Sequence, residues 1–253
     1  MIFKIKILVF IIIILTQVAF ATDKKKSLTI VRGDGYWPPY EWIENDKLVG
    51  LHIDLVKEVS KTLGLKVIIT SYPWLRAINI IKKGQVDAIL FIARKKDREE
   101  FVHYDERNEL HISRTSLIVM KERLHEIKYS GDLKQLKKYT ICGQQGFSYG
   151  KLFEQASYLT IDRGAITVVQ LIEKLMHKRC DLAVGYDYVK EVARKKGFKH
   201  KFVELKPDIS AHPMYIGFSV AKKNLTLAKR FAKAMKLFKT TDRYKQLLKK
   251  YNR

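Results

Sequence analysis

The sequence predicts an α/β protein built from two lobes. Residues 28–92 alternate strand-like and helix-like segments, and residues 139–184 repeat the same alternation. The last strand of each half begins alike, with Val-Asp-Ala-Ile at 86–89 and Cys-Asp-Leu-Ala at 180–183. Nearly all-apolar strands of this kind are typical of a parallel sheet covered on both faces. Two such series in one chain favour two α/β lobes, each with a parallel-rich sheet flanked by helices.

The first series contains three strands and two helices. We expect strands, from their β-branched and apolar residues, at 28–33, 66–70 and 86–92. Apolar residues at 51, 55, 56, 59 and 63 follow the helical period, and Gly64 ends that helix. Pro73 occupies the first turn of a second helix, which ends by Gly84.

The second series and the C-terminal part follow the same rules. We expect strands at 139–142, 158–161, 180–184 and 214–221, and helices from 151 onward and at 168–177, 225–239 and 242–251. Residues 110–119 have β character and suit a hinge strand that crosses between the lobes. Leu227, Phe231, Met235 and Phe238 recur at helical spacing, so this face should pack on the first lobe and leave its lysines in water.

The first 21 residues are typical of an export signal. Lys4 and Lys6 precede the apolar core Ile7–Leu15, and Ala19–Ala21 forms an A-x-A cleavage site. Nine apolar residues are too few to span a bilayer, which takes roughly 20. Because no cysteine lies at the cleavage point, we expect a periplasmic protein that is not a lipoprotein.

The chain is strongly basic. Its formal net charge of +23 becomes +21 when the two signal lysines are removed. Such a charge favours binding to anionic surfaces and makes nucleic acid a candidate partner. Export argues against nucleic acid, and the cations are spread along the chain. We therefore expect a solvated basic surface, with membrane headgroups or an anionic partner as the alternative.

Two cysteines raise the question of a disulfide in an oxidising compartment. If their strands are parallel neighbours aligned at the carboxyl ends, Cys142 faces Ala183 and Cys180 faces Tyr139. That offset corresponds to roughly 10 Å along a strand, too far for a disulfide. Two buried thiols are the favoured interpretation. No Cys or His spacing predicts a metal site, and we expect no cofactor.

The stretch 33–42, Gly-Asp-Gly-Tyr-Trp-Pro-Pro-Tyr-Glu-Trp, is typical of a ligand contact. Its glycines allow a sharp turn and a close approach to a ligand. The two prolines hold Trp37 on an extended segment. An exposed aromatic held in this way suits a stacking platform. The alternative is a buried aromatic loop that closes a core.

An ordered series of segments follows this stretch. They are Leu48–Val59, Tyr72–Arg76, Lys82–Leu90 and Asp97–Arg98. The series resembles the periplasmic solute-binding proteins of the polar amino acid class, over nearly all of the chain after residue 21. The resemblance implies a type II clamshell with a two-strand hinge. It also implies that residues 22–111 and 214–253 form lobe I and residues 112–213 form lobe II.

The resemblance assigns ligand contacts in lobe I. Trp37 matches an aromatic that stacks on the ligand, and Trp74 matches a wall of the pocket, although it also suits the lobe core. Arg98 matches the donor to a ligand carboxylate, for which a planar bidentate group is fitting; a surface cation is the alternative. Asp34 is a further candidate, unless it only caps the turn. Arg76 either faces the cleft or pairs with Asp87.

Lobe II contributes the opposite side of the implied site. Gly146, Phe147 and Ser148 match a loop whose backbone N–H groups, at a helix start, help to bind that carboxylate. Ser148 is alternatively a helix N-cap alone. Asp187, or Tyr186 beside it, stands where the family places the acceptor of the ligand ammonium.

The resemblance implies a periplasmic receptor that closes over a small polar solute, an amino acid or related carboxylate. It would present this solute to an inner-membrane ABC permease as a monomer without enzymatic activity. One alternative is an exported enzyme similar to cyclohexadienyl dehydratase, for which Asp34, Glu41 and Asp187 are the candidate proton-transfer acids. Another is a sensor that uses the same clamshell without a transporter.

Export provides a direct test of the N-terminal interpretation. Since Ala19–Ala21 is the small-residue site after the apolar core, the secreted form should begin at Thr22. Intact-mass measurement of protein from the periplasmic fraction checks this. A mass that retains Met1 would contradict it.

Overall fold

A computed structural model of the chain describes residues 27–198 and 200–251. The predicted export signal, residues 1–21, lies outside the described residues. None of the helices in the described part combines the length and the apolar character that a membrane span requires.

Eleven strands occur in the described residues. They are β1 (Ser27–Gly33), β2 (Trp42–Glu44), β3 (Lys47–Val49), β4 (Lys66–Tyr72), β5 (Ala88–Ala93), β6 (Val102–His103), β7 (Glu109–Met120), β8 (Thr140–Gln144), β9 (Thr160–Ala165), β10 (Leu182–Tyr186) and β11 (Phe202–Ser219). The α-helices are α1 (Leu51–Thr62), α2 (Trp74–Lys82), α3 (Lys96–Glu99), α4 (Lys151–Gln155), α5 (Val168–Met176), α6 (Tyr188–Lys195), α7 (Leu225–Phe238) and α8 (Asp242–Lys250).

One sheet runs through both halves of the molecule, in the order β4-β1-β5-β11-β7-β10-β8-β9 with β6 on β11. It is parallel at each end, where β1 pairs with β4 and β5, and β8 pairs with β9 and β10. In the middle, β7 and β11 are antiparallel to each other. Because β11 also pairs with β5 and β7 with β10, these two long strands join the lobes. The predicted two-lobe α/β fold is confirmed, while the exact lobe boundaries stay a prediction.

Helices cover the sheet with the faces that the sequence predicts. In α1, Leu51, Leu55, Val56 and Val59 are buried. Leu227, Phe231, Met235 and Phe238 of α7 are likewise buried in the core. Full burial of a side chain of this size contributes roughly 1.5–3 kcal/mol. The apolar stripes therefore fix both helices to lobe I.

Strand β11 and helix α6 differ most from the sequence prediction, which also lacked the short elements β2, β3, β6 and α3. Strand β11 begins at Phe202 rather than at 214, and it includes Pro207 and Pro213, although proline within a sheet is mostly confined to edges and bulges. A register shift between Leu205 and Ser210 carries the chain past Pro207. Helix α6 was not predicted, because it starts directly after β10 without a side-chain cap. Tertiary pairing and packing override the local signals in both cases.

The prediction of two free thiols is wrong, because Cys142 and Cys180 form a disulfide with their Cα atoms 5.8 Å apart. The predicted register was correct, since Cys142 does lie opposite Ala183. However, β10 begins only at Leu182, so Cys180 is not on the extended strand. The chain bends before the strand and brings Cys180 back beside Cys142.

Removing this disulfide should destabilise the protein. Replacing both cysteines by alanine should lower the free energy of unfolding by about 2–4 kcal/mol, because the unfolded chain is no longer closed across the 38-residue separation. Urea unfolding of both proteins, with and without dithiothreitol, measures the difference. Reductant should shift the midpoint of the parent protein only. An unshifted parent midpoint would contradict the prediction.

Candidate functional site

Trp37 lies where two glycines leave room for its ring. A Cβ added at Gly33 or Gly35 would come within 2.4 Å of the indole, so the ring rests directly on the backbone. The indole also meets Phe91 at 5.2 Å and Tyr188 at 5.9 Å between ring centroids. The local sequence thus positions Trp37 at the carboxyl end of β1, between the lobes.

The expectation that Trp37 is an exposed stacking platform is wrong for this structure, because the two lobes close over its ring. Only 3% of Trp37 is exposed, because Phe147 and Tyr188 of lobe II cover it. Trp37 is instead a buried aromatic residue, which was the alternative interpretation of this stretch. One edge of the ring still reaches a cavity between the lobes.

This cavity has a volume of about 310 Å³ and has walls from both lobes. Lobe I contributes Asp34, Tyr36, Trp37 and Trp74, and lobe II contributes Gln144, Phe147 and Thr167. Asp34 is exposed, and its backbone N–H donates to the carbonyl of Tyr72 at 2.8 Å. The cavity therefore brings one carboxylate together with several aromatic rings. Four of the predicted site residues, Asp34, Trp37, Trp74 and Phe147, line it.

Arg98 is a buried bridge between the lobes rather than a surface cation. It is 6% exposed, and its two Nη atoms donate to the carbonyls of Ala93 and Gly146 at 3.0 Å each. The indole N–H of Trp74 also donates to the carbonyl of Gly146, at 3.3 Å. Gly146 has a φ of +75°, and a Cβ there would lie 2.7 Å from Leu75. A glycine is thus required where the two lobes meet.

The lobe II loop presents the carbonyl of Gly146 to lobe I. The N–H of Phe147 donates to the carbonyl of Gln144, and the ring of Phe147 lies 5.5 Å from that of Trp74. The carbonyl of Ser148 accepts a hydrogen bond from the hydroxyl of Tyr186. Burial raises the pKa of the Tyr186 hydroxyl, which keeps it protonated as a donor. Helix α4 begins at Lys151, three residues beyond Ser148.

Asp187 lies apart from the residues that line the cavity. Its carboxylate accepts hydrogen bonds from the hydroxyl of Tyr40 at 2.8 Å and from the hydroxyl of Ser113 at 3.1 Å. It lines a neighbouring depression together with Pro38 and Trp42. Tyr40 belongs to lobe I, so this contact is a second bridge across the cleft.

A buried polar chain beside the cleft was not predicted. The guanidinium of Arg32 and the ring of His52 both contact the carboxylate of Glu41 at 2.8 Å, and all three side chains are fully buried. The other ring nitrogen of His52 lies 2.9 Å from Nδ1 of His111 on β7. His111 stacks on Tyr40 with centroids 3.8 Å apart. No spacing rule connects these residues in sequence, because only the fold brings them together.

The surroundings of Glu41 keep it ionised. Burial by itself raises the pKa of Glu41, but the hydrogen bond from His52 and the charge of Arg32 outweigh it and hold the pKa below the ordinary value. This carboxylate is engaged with its partners rather than turned to the cavity. Across residues 27–198 and 200–251, no group of three or more His, Cys, Asp or Glu side chains is placed to hold a metal ion.

The comparisons with known proteins agree with this geometry. The family model of the bacterial extracellular solute-binding proteins, family 3, matches residues 29–253. The arginine-binding extracellular protein ArtP of Bacillus subtilis (strain 168) is 27% identical over 238 residues, which cover 91% of this chain and 87% of the relative.

Two solved structures show the same fold. An ancestral arginine-binding protein bound to arginine is 20% identical, with a TM-score of 0.73 over 90% of this chain and 99% of that one. An ancestral amino acid-binding protein, described as a precursor of cyclohexadienyl dehydratase, is 16% identical, with a TM-score of 0.70 over 90% and 96%. At these identities the likeness shows the two-lobe fold.

Glu41→Gln tests the buried chain. At neutral pH it should cost roughly 3 kcal/mol of unfolding free energy, because it leaves the Arg32 charge buried without its partner. Glu58→Gln, which removes an exposed contact with Arg243, should cost less than about 1 kcal/mol.

The loss of stability caused by Glu41→Gln should depend on pH. Because the folded pKa of Glu41 lies below the ordinary value of about 4.3, its carboxylate stabilises the fold above that value. That contribution is lost as the pH falls through the folded pKa. Urea unfolding at several pH values should therefore show the gap between the parent and Glu41→Gln narrowing in acid. A gap that stays constant down to acid unfolding would contradict the assignment.

Proposed function

The chain belongs to the bacterial extracellular solute-binding proteins of family 3, and we propose that it is a periplasmic receptor for an amino acid or a related carboxylate. The observation that carries this proposal is the cavity between the lobes, with Asp34 and aromatic rings in its walls. A concave site with few polar groups among aromatic ones is typical of small-ligand binding.

Within the amino acids, a cationic side chain fits the cavity best. The carboxylate of Asp34 supplies a negative charge in a cavity that Trp74 and Phe147 also line, and an aromatic ring attracts a cation that lies over its face. The relative ArtP is described as an arginine-binding protein. Arginine is therefore our first candidate ligand.

The proposed carboxylate contact uses Arg98. Its Nη2 now donates to the neutral carbonyl of Gly146 across the cleft. A ligand carboxylate would take the place of that carbonyl, since a charge-assisted bidentate contact is stronger. In this proposal Phe147 and Ser148 hold the loop of lobe II against the ligand.

The proposed ammonium contact uses Asp187. Its carboxylate accepts from Tyr40 and Ser113, so a ligand ammonium would replace or join the Tyr40 hydroxyl. Motion about β7 and β11, the two strands shared by the lobes, would open and close the site. A ligand that bridges the lobes favours the closed form, because it binds that form better.

We propose that the closed receptor delivers its ligand, as a monomer, to an inner-membrane ABC permease without chemical change. Of the acids considered for proton transfer, Glu41 is buried in its contacts with Arg32 and His52, and Asp187 binds Tyr40. Asp34 alone of the three lines the cavity. Genes for a permease and an ATPase beside this one would support transport over sensing.

A thermal-shift screen tests the receptor proposal. Arginine at about 100 times its dissociation constant should add about 2.7 kcal/mol of stability. Citrulline, its neutral analogue, should bind more weakly. Asp34→Asn should weaken arginine binding by about 10- to 100-fold and leave citrulline nearly unchanged, because only arginine loses a charged hydrogen bond. Equal losses for both ligands would contradict the role of Asp34.

The variants at the two lobe contacts separate the remaining roles. Arg98→Ala should abolish the binding of carboxylates, whereas Arg94→Ala, an exposed arginine of the same loop, should not. Agmatine lacks the carboxylate and should bind poorly to the parent protein. Asp187→Asn should weaken the binding only of those ligands that carry an ammonium group.

Mass spectrometry of the same mixtures separates a receptor from an enzyme. It should recover every ligand unchanged, and turnover of prephenate or arogenate would favour the dehydratase alternative.

A further inference from the structure

Helix α7 and the turn before it carry a group of exposed cations. They are Lys222, Lys223, Lys229, Arg230, Lys233 and Lys236. The sequence contains no acidic residue between Asp208 and Asp242. In the part of the chain that the structure describes, none of these six cations lies in an ion pair, whereas Arg243 and Lys250 of the neighbouring helix α8 are paired with Glu58 and Asp54.

Carboxylates on the elements packed against α7 are engaged elsewhere. The turn at 105–108 packs against it, and there Asp105 pairs with Arg107 and Glu106 with Arg94. Helix α1 also packs against α7, but its Asp54 and Glu58 pair with cations of α8. The positive charge of α7 is therefore not neutralised by its surroundings.

The same face carries apolar surface. Arg230, Lys233 and Leu237 follow one another at spacings of three and four residues, so they form one stripe along the helix. Leu237 is 60% exposed. Beside it, a groove of about 460 Å³ runs between α7 and the end of α1, with Leu63 and Ala234 in its walls. We call Lys229, Arg230, Lys233, Lys236 and Leu237 the α7 face.

We propose that the α7 face docks the protein on a bilayer surface that contains anionic phospholipids. Arg230 has the planar donor set that matches a lipid phosphate, and the lysines add charge around it. Leu237 would enter the boundary between headgroups and acyl chains. The opposite side of α7 is packed in the core of lobe I, so the contact is peripheral and the helix stays in place.

Such docking leaves the ligand site accessible. None of the residues that line the cavity between the lobes belongs to α7. A receptor held in this way would stay close to a membrane while its cleft opens and closes. The overall charge of the exported chain acts in the same direction, because anionic lipid attracts cations within about one Debye length.

Vesicle co-sedimentation tests the proposal, with the protein recovered from the periplasmic fraction so that the N-terminal apolar segment is not carried along. It should bind vesicles of phosphatidylcholine mixed with phosphatidylglycerol, and not vesicles of phosphatidylcholine alone. Raising the salt from about 0.1 M to about 1 M should release it, because the Debye length shrinks from about 10 Å to about 3 Å.

Two double variants with the same change in charge locate the contact. Arg230→Gln with Lys233→Gln should weaken vesicle binding by about fivefold for each cation, about 25-fold together. The matched control is Lys134→Gln with Lys137→Gln, which removes two exposed cations of lobe II and should have little effect. Leu237→Ser should weaken binding without changing its dependence on salt. Circular dichroism confirms that each variant is folded.

Three results would overturn the proposal. Equal losses in the two double variants would mean that the charge of the whole molecule, not the α7 face, attracts the vesicle. Binding that persists at high salt would indicate insertion instead of surface docking. Binding to duplex DNA that depends on Arg230 and Lys233, with no binding to vesicles, would identify nucleic acid as the partner of this face.

Discussion

The pairing of β7 with β11 is the constraint on which the rest of the structure depends. Each strand pairs antiparallel with the other and also antiparallel with one strand of a lobe's parallel set, β11 with β5 and β7 with β10, so the two parallel sets become one sheet. This arrangement turns the carboxyl ends of the parallel strands in both lobes toward each other. Loops at those ends form the binding site of open α/β sheets. The cavity between the lobes follows directly from this geometry.

Protein groups of the two lobes contact each other directly across the cleft. Arg98 and Trp74 reach the carbonyl of Gly146, and Tyr40 reaches Asp187. Behind them, the chain Arg32–Glu41–His52 is buried, where charges persist only when they are paired. In the proposed site, a ligand would compete with protein groups that satisfy one another's hydrogen bonds. Selectivity would arise because only a ligand with matching charges improves on the existing hydrogen bonds.

Local patterns were sufficient for most of the fold. Apolar periodicity placed α1 and α7 correctly, and β-branched runs placed β1 and β4. The glycines and prolines around Trp37 predicted a loop that contacts a ligand, and this loop does line the cavity between the lobes. These features could be predicted because each depends on residues that are close in sequence. Asp34 and Trp37 were recognised as candidates from this stretch, whereas Trp74 and Phe147 were assigned by the resemblance to the solute-binding family.

The sequence by itself determined two α/β lobes, their core faces and the loops that meet between them, because each is set by local spacing. Only the tertiary structure decided that Cys180 bends back to Cys142, that Arg98 bridges to Gly146, and that Asp187 binds Tyr40. The same holds for the chain from Arg32 to His111. Each of these contacts joins residues that are distant in sequence. The disulfide and the chain from Arg32 to His111 depend on packing within one lobe, whereas the contacts of Arg98 and Asp187 depend on how the two lobes close.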